Sequence, residues 1–93
     1  MKQEACIFVL DNGFVYIGIG ESYKCPLLGK SIRISNAKNI RNWGTTKGLG
    51  SLAVDGIQTS TIIDYCGTVD VAINRVAHKI QLTEKSKKSF GYE

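Results

Sequence analysis

A short segment in the middle of the chain combines residue types that bind phosphate. Within eight positions it carries a guanidinium, an indole, two hydroxyls, an ammonium and two glycines, in Arg41, Trp43, Gly44, Thr45, Thr46, Lys47 and Gly48. Helical spacing begins directly after it, and the first N–H groups of a helix lack intrahelical partners and attract anions. Arg41 can clamp a phosphate and Trp43 can stack on a base. We therefore expect a nucleotide or phosphate cradle here, and we add Arg33 from the same basic midsection.

The same segment has a purely structural interpretation. Thr45 or Thr46 would then cap the helix, and Trp43, the only tryptophan, would fill the core. The glycine and lysine positions also differ from a Walker loop, in which a glycine directly precedes Lys-Ser/Thr. Residue types alone do not decide between the two, and both interpretations stay open.

Residues suited to catalysis or metal binding are sparse. The chain has one histidine, His78, and three widely spaced cysteines, Cys6, Cys25 and Cys66. No two histidines can form a metal-ligand motif, and no spacing places a cysteine beside His78 as a nucleophile would require. We therefore predict a binding protein and no enzyme, with no catalytic residues, no metal and no cofactor. The odd number of cysteines favours a reducing cytosolic compartment.

The composition is typical of one globular domain over residues 1–93, with 43% hydrophobic and 22% charged residues. The formal net charge of +4 favours phosphate-bearing partners and leaves nucleic acid open as a partner. No apolar run approaches the length that spans a bilayer, so we expect no membrane partner. The lysine-rich end predicts a flexible basic tail over residues 85–93. A domain this small gains buried area by self-association, so we expect a homo-oligomer.

Strands are predicted to position the segment. Apolar runs on both sides of Asn12-Gly13 indicate a hairpin with a type I′ turn, whereas residues 21–30 have the composition of a loop. Two further strands meet near Gly67. A single helical face is predicted by the spacing of Leu49, Leu52, Ala53 and Gly56. The predicted fold class is mainly β (α+β): a small curled antiparallel sheet or partial barrel of about six strands with one short helix.

The stretch from residue 36 to residue 56 resembles a family of small, functionally uncharacterised proteins of tailed phages and prophages. Its pattern is an Asn-Ala-basic run into a tryptophan, a stretch rich in glycine, alanine and serine, and then Leu-x-x-Leu-Ala-x-x-Gly. The matching residues are Asn36, Ala37, Lys38, Ile40, Arg41, Trp43, Leu49, Leu52, Ala53 and Gly56. Thr45, Thr46 and Gly48 depart from the pattern. The resemblance implies a phage or prophage origin and a β-rich fold, and it supplies no activity.

The cradle and the implied phage origin together suggest a role. We expect the protein to sequester a nucleotide-type signal of host defence, such as a cyclic nucleotide, in the cytoplasm of an infected bacterium. The step from origin to role is an analogy with other small phage proteins. Two alternatives stay open: a protein- or nucleic-acid-binding inhibitor of a host defence nuclease, and a virion accessory protein.

Overall fold

The protein forms one open antiparallel sheet with two short helices. The computed structural model describes residues 4–42, 49–57 and 61–92. The elements are β1 (Glu4–Leu10), β2 (Val15–Cys25), β3 (Gly29–Asn42), α1 (Leu49–Asp55), β4 (Ile62–Ala72), a 3₁₀ helix (Ile73–Arg75), β5 (Val76–Gln81) and α2 (Glu84–Phe90). The strand order is β4-β3-β2-β1-β5. The predicted mainly β class is confirmed, with five strands and two helices in the described ranges where about six and one were expected.

The sheet is strongly curled. Ala72 pairs with Ser31 near the β2–β3 turn, whereas Val76 pairs with Leu10 at the β1–β2 turn. These turns lie at opposite ends of β2, which would span about 35 Å if it were straight. Only the 3₁₀ helix joins Ala72 to Val76, and such a helix rises about 2 Å per residue. The long strands must therefore bend until the two ends of the sheet approach each other.

A β-bulge interrupts the pairing of the long strands. The pairing of β2 with β3 shifts between Ile17 and Ile19, and on β3 the residue Asn36 has a φ of 54°. Gly18 lies opposite, and a Cβ there would come within 2.5 Å of Ile34 Cγ2. Close approach of the two backbones thus requires glycine at position 18.

Curling gives the molecule two apolar cores. The outer core lies between the sheet and the helices, and the inner core lies between the two halves of the curled sheet. The outer core contains Ala5, Ile7, Val15, Ile17, Ile40, Leu52, Ala53, Leu82 and Phe90. The inner core contains Cys6, Phe8, Leu10, Ile34, Ala37 and Val71. Leu52 and Ala53 confirm the predicted apolar face of α1, and Gly56, with a φ of 89°, follows the helix as expected.

Three local expectations were wrong. The two strands predicted to meet near Gly67 form one strand, β4, which continues through Gly67 with a φ of 76° at that residue. The first hairpin forms, but Leu10 and Phe14 close a three-residue loop in which only Gly13 has positive φ, whereas a type I′ turn needs two such residues. The Asn12 side chain instead accepts a hydrogen bond from the Phe14 N–H at 3.1 Å. Residues 21–30 are mostly strand and not loop, because the β2–β3 pairing continues to Cys25 and Gly29.

The C-terminal segment is a packed helix, so the prediction of a flexible tail over 85–93 is wrong for residues 85–92. Thr83 caps α2 by accepting a hydrogen bond from Ser86 N, and Gly91 ends the helix with a φ of 84°. Ser86 and Phe90 are buried, and Ser86 Oγ donates to Leu52 O at 2.6 Å. The segment's three lysines, Lys85, Lys87 and Lys88, suggested a solvent-exposed tail, and the composition did not indicate these contacts. No helix in the described ranges is long and apolar enough to cross a membrane.

Candidate functional site

Arg41 is the predicted site residue that the structure presents to solvent. It stands at the end of β3, and its Nε lies 2.9 Å from Asp64 Oδ2 on β4. Nη2 makes a second, longer contact of 3.4 Å with Asp64 Oδ1. The side chains of Arg41 and Asp64 are 66% and 49% exposed. Asp64 therefore orients one edge of the guanidinium, while most of the group remains in water.

Arg33 has a different environment. Its Nε and Nη2 contact both carboxylate oxygens of Asp70 at 2.8 and 3.0 Å, and its guanidinium lies 3.7 Å from the centre of the Tyr23 ring. The hydrogen bond from Arg33 is the main reason that the pKa of Asp70 lies below its usual value, and the same bond raises the pKa of Arg33. Both an edge and a face of this guanidinium are engaged within the protein.

The structure does not bring the two arginines together. Arg33 adjoins Ile34 of the inner core, and Arg41 adjoins Ile40 of the outer core. Side chains alternate between the faces of a strand, so Arg33 and Arg41 lie on opposite faces of the sheet. The predicted cradle residues Trp43, Thr45, Thr46, Lys47 and Gly48 lie outside the described residues. Of the predicted ligand-binding residues, the described part of the chain thus contains Arg33 and Arg41, on opposite faces of the sheet.

Lys38, which in the sequence is only one member of the pattern shared with small phage proteins, is a buried cation. Its Nζ donates to Phe90 O at 2.5 Å and lies 4.1 Å from the centre of the Tyr92 ring. Tyr92 Oη lies 2.6 Å from Asn36 O and 3.0 Å from Ile17 O, where it can donate its proton. Burial lowers the pKa of Lys38 and raises that of Tyr92. These contacts attach the end of α2 to the bulge of β3, so the role of Lys38 is structural.

A groove of about 510 Å³ opens between the two ends of the curled sheet. Its apolar walls include Phe14, Tyr16 and Leu28, and residues 69–72 of β4 line one side. Three distant segments of the chain form it, so no local pattern could have revealed it. The Asp11–Arg75 ion pair, at 3.1 Å, lies at its margin.

The described side chains offer no metal centre. Within residues 4–42, 49–57 and 61–92, no three His, Cys, Asp or Glu side chains come together in a way that could hold an ion. Of the three cysteines, Cys6 is buried, Cys25 is half-buried and Cys66 is exposed. His78 lies exposed on β5.

Comparison of the chain with protein-family models, with curated proteins and with solved structures found no match.

Proposed function

We propose that this protein binds a phosphate-bearing small molecule of the nucleotide type and holds it without transforming it. The observation that carries the proposal is the geometry of Arg41 at the end of β3. Asp64 contacts its Nε and Nη2, and within the described part of the chain no hydrogen bond engages Nη1. A guanidinium has five N–H donors in a fixed fork, so one edge is held while another is available to phosphate.

The energetics favour this use of Arg41. An exposed ion pair contributes only about 0–1 kcal/mol, so sharing the guanidinium with a phosphate costs little stability. The carboxylate also limits the rotamers of the long side chain, which reduces the entropy lost on binding. Arg33 lacks this freedom because Asp70 and Tyr23 already occupy an edge and a face of its guanidinium. We therefore place Arg41, and not Arg33, in contact with phosphate.

The proposed biological role extends the resemblance to small phage proteins by analogy. A basic domain that retains a nucleotide intact would remove a cyclic nucleotide signal from a host defence system. The net charge of +4 supports an anionic ligand. The residues predicted to complete the cradle, Trp43 and Thr45–Gly48, follow Arg41 directly in the chain.

Thermal unfolding with a panel of cyclic mono- and dinucleotides tests the proposal. A ligand at 100 times its Kd adds about 2.7 kcal/mol, which corresponds to a rise in Tm of roughly 10 °C or more for a domain of this size. Arg41→Ala should abolish most of the shift. Arg75→Ala is the matched control, since Arg75 and its partner Asp11 are 68% and 46% exposed. Mass spectrometry of the ligand released by denaturation should recover it unchanged.

Other outcomes would overturn the proposal. If no nucleotide shifts the Tm, or if Arg41→Ala and Arg75→Ala reduce the shift equally, Arg41 does not form the site. A chemically altered ligand would indicate an enzyme. Binding to polynucleotides with an affinity that falls steeply with salt would instead favour the nucleic-acid-binding alternative.

A further inference from the structure

One end of the sheet carries a cluster of exposed apolar side chains. Leu27 stands in the turn that joins β2 to β3 and is 90% exposed. Its neighbour Leu28 is about half exposed and lines the groove, as does Phe14, which is also about half exposed. β4 ends beside the same turn, and the exposed Ile73 follows it. Apolar clusters of this kind mark surfaces that contact a protein or a membrane.

Two lysines flank the β2–β3 turn. Lys24 on β2 and Lys30 on β3 lie directly opposite each other in the antiparallel pairing, and both are exposed. Like charges in this position destabilise a strand pair. Among the residues that the structure describes, neither lysine has an ion-pair partner. A negative group outside the chain would relieve their repulsion.

The nearby carboxylates do not neutralise this pair of lysines. Asp11 and Asp70 each contact an arginine, at 3.1 and 2.8 Å. Glu21 lies three positions before Lys24 on β2. Because side chains alternate along a strand, Glu21 and Lys24 point to opposite faces of the sheet. The apolar turn is thus bordered by positive charge that the described residues leave uncompensated.

Charge and shape together distinguish the possible partners. A second copy that joined turn to turn would bring four lysines together, and the groove that could receive its Leu27 is bordered by the same turn. Leu27 projects from a hairpin turn, so the patch is convex and a protein partner would need a pocket to receive it. A bilayer interface accepts a projecting apolar side chain without a preformed pocket, and anionic lipids attract neighbouring lysines.

We propose that the β2–β3 turn docks this protein on the surface of an anionic phospholipid bilayer. Leu27 and Leu28 enter the interface, and Lys24 and Lys30 contact the negative groups of the lipids. The sequence-based expectation of no membrane partner rests on the lack of a bilayer-spanning run, and a contact at the bilayer surface needs no such run. Arg41 lies at the other end of β3, so the docking surface is independent of the proposed nucleotide site.

Flotation of the full-length chain with lipid vesicles tests the proposal. The wild type should float with vesicles of phosphatidylcholine and phosphatidylserine, and not with phosphatidylcholine alone. Each lysine near an anionic surface strengthens binding about fivefold, so Lys24→Glu should weaken it at least about tenfold. The new carboxylate would face Lys30 across the hairpin, which stabilises the strand pair, so unfolding would not explain the loss. Lys88→Glu, at an exposed position on α2, makes the same change in net charge and should bind nearly as the wild type does.

Substitution of the apolar turn completes the test. Leu27→Ser should weaken vesicle binding about tenfold, whereas Leu27→Trp should retain it, because tryptophan is favoured at bilayer interfaces. Val54→Ser removes an exposed apolar side chain from α1 and is the matched control, with no expected effect.

Several results would overturn the proposal. They are a wild type that does not float with the anionic vesicles, equal binding to phosphatidylcholine alone, and equal effects of Leu27→Ser and Val54→Ser. Binding to polyglutamate without binding to vesicles would indicate an acidic protein partner instead. A dimer in light scattering that Leu27→Ser dissociates, again without vesicle binding, would indicate a second copy of the chain.

Discussion

Replacement of Lys38 by methionine tests the structural account of the C-terminal helix. The last carbonyls of a helix have no intrahelical partner. Gly91 N and Tyr92 N satisfy carbonyls of the last turn of α2, and Lys38 Nζ satisfies Phe90 O. Methionine retains the length and the apolar stem of lysine and removes the donor. It therefore isolates the ammonium from the packing of the side chain.

The expected loss is about 2 kcal/mol in the free energy of unfolding. A hydrogen bond from a charged donor contributes about 1.5–3 kcal/mol. The cation–π contact with Tyr92, at 4.1 Å, adds about 0.5–1 kcal/mol. Methionine recovers part of this sum, because an apolar side chain is easier to bury than an ammonium.

Urea unfolding at pH 7 measures this loss, with Lys30→Met as the control on the same strand. Lys30 is exposed, so its replacement should change stability by less than about 0.5 kcal/mol. A pH series adds a second measurement. Because burial holds the pKa of Lys38 below its usual value of 10.5, the folded wild type releases this proton before the unfolded chain does. Wild-type stability should therefore rise relative to Lys38→Met as the pH increases towards 10.5. Equal effects of the two variants would refute the reasoning.

Two further substitutions test the bend and its attachment to the C-terminal segment. Tyr92→Phe removes the hydroxyl that contacts Asn36 O and should cost about 1 kcal/mol at pH 7. Burial holds the pKa of Tyr92 above its usual 10.0, so the wild type should lose up to about 1.4 kcal/mol per pH unit above pH 10. Urea titrations should find the two proteins nearly equal at about pH 11, and a constant difference would contradict this. Gly18→Ala should destabilise by about 1–3 kcal/mol because its methyl would meet Ile34. Gly50→Ala in α1 is the control. A Cβ at Gly50 would meet open space, so this variant should be stabilised by up to about 1 kcal/mol. If thermal melts gave similar changes in Tm for Gly18→Ala and Gly50→Ala, the bend would relax freely around the added methyl group.

Local patterns in the sequence predicted the elements that depend on local interactions. The first hairpin and the apolar face of α1 were correctly placed, since turn chemistry and periodicity are properties of neighbouring residues. The polar residues 21–25 belong to β2 because β3 pairs with them, and α2 is ordered because Ser86 and Phe90 are buried against the rest of the fold. Those contacts join residues far apart in the chain. Hydrophobic periodicity depends on neighbouring residues only, so it could not predict these long-range contacts.

The contrast between Arg33 and Arg41 shows the same limit at the site. In the sequence both are arginines of one basic midsection. Their difference arises from their partners. Asp70, 37 residues away in the chain, and Tyr23 enclose the guanidinium of Arg33. Asp64, 23 residues away, holds only an edge of the guanidinium of Arg41. Both carboxylates belong to β4, so the partners on this neighbouring strand decide that the guanidinium of Arg33 is enclosed and that of Arg41 keeps an exposed edge.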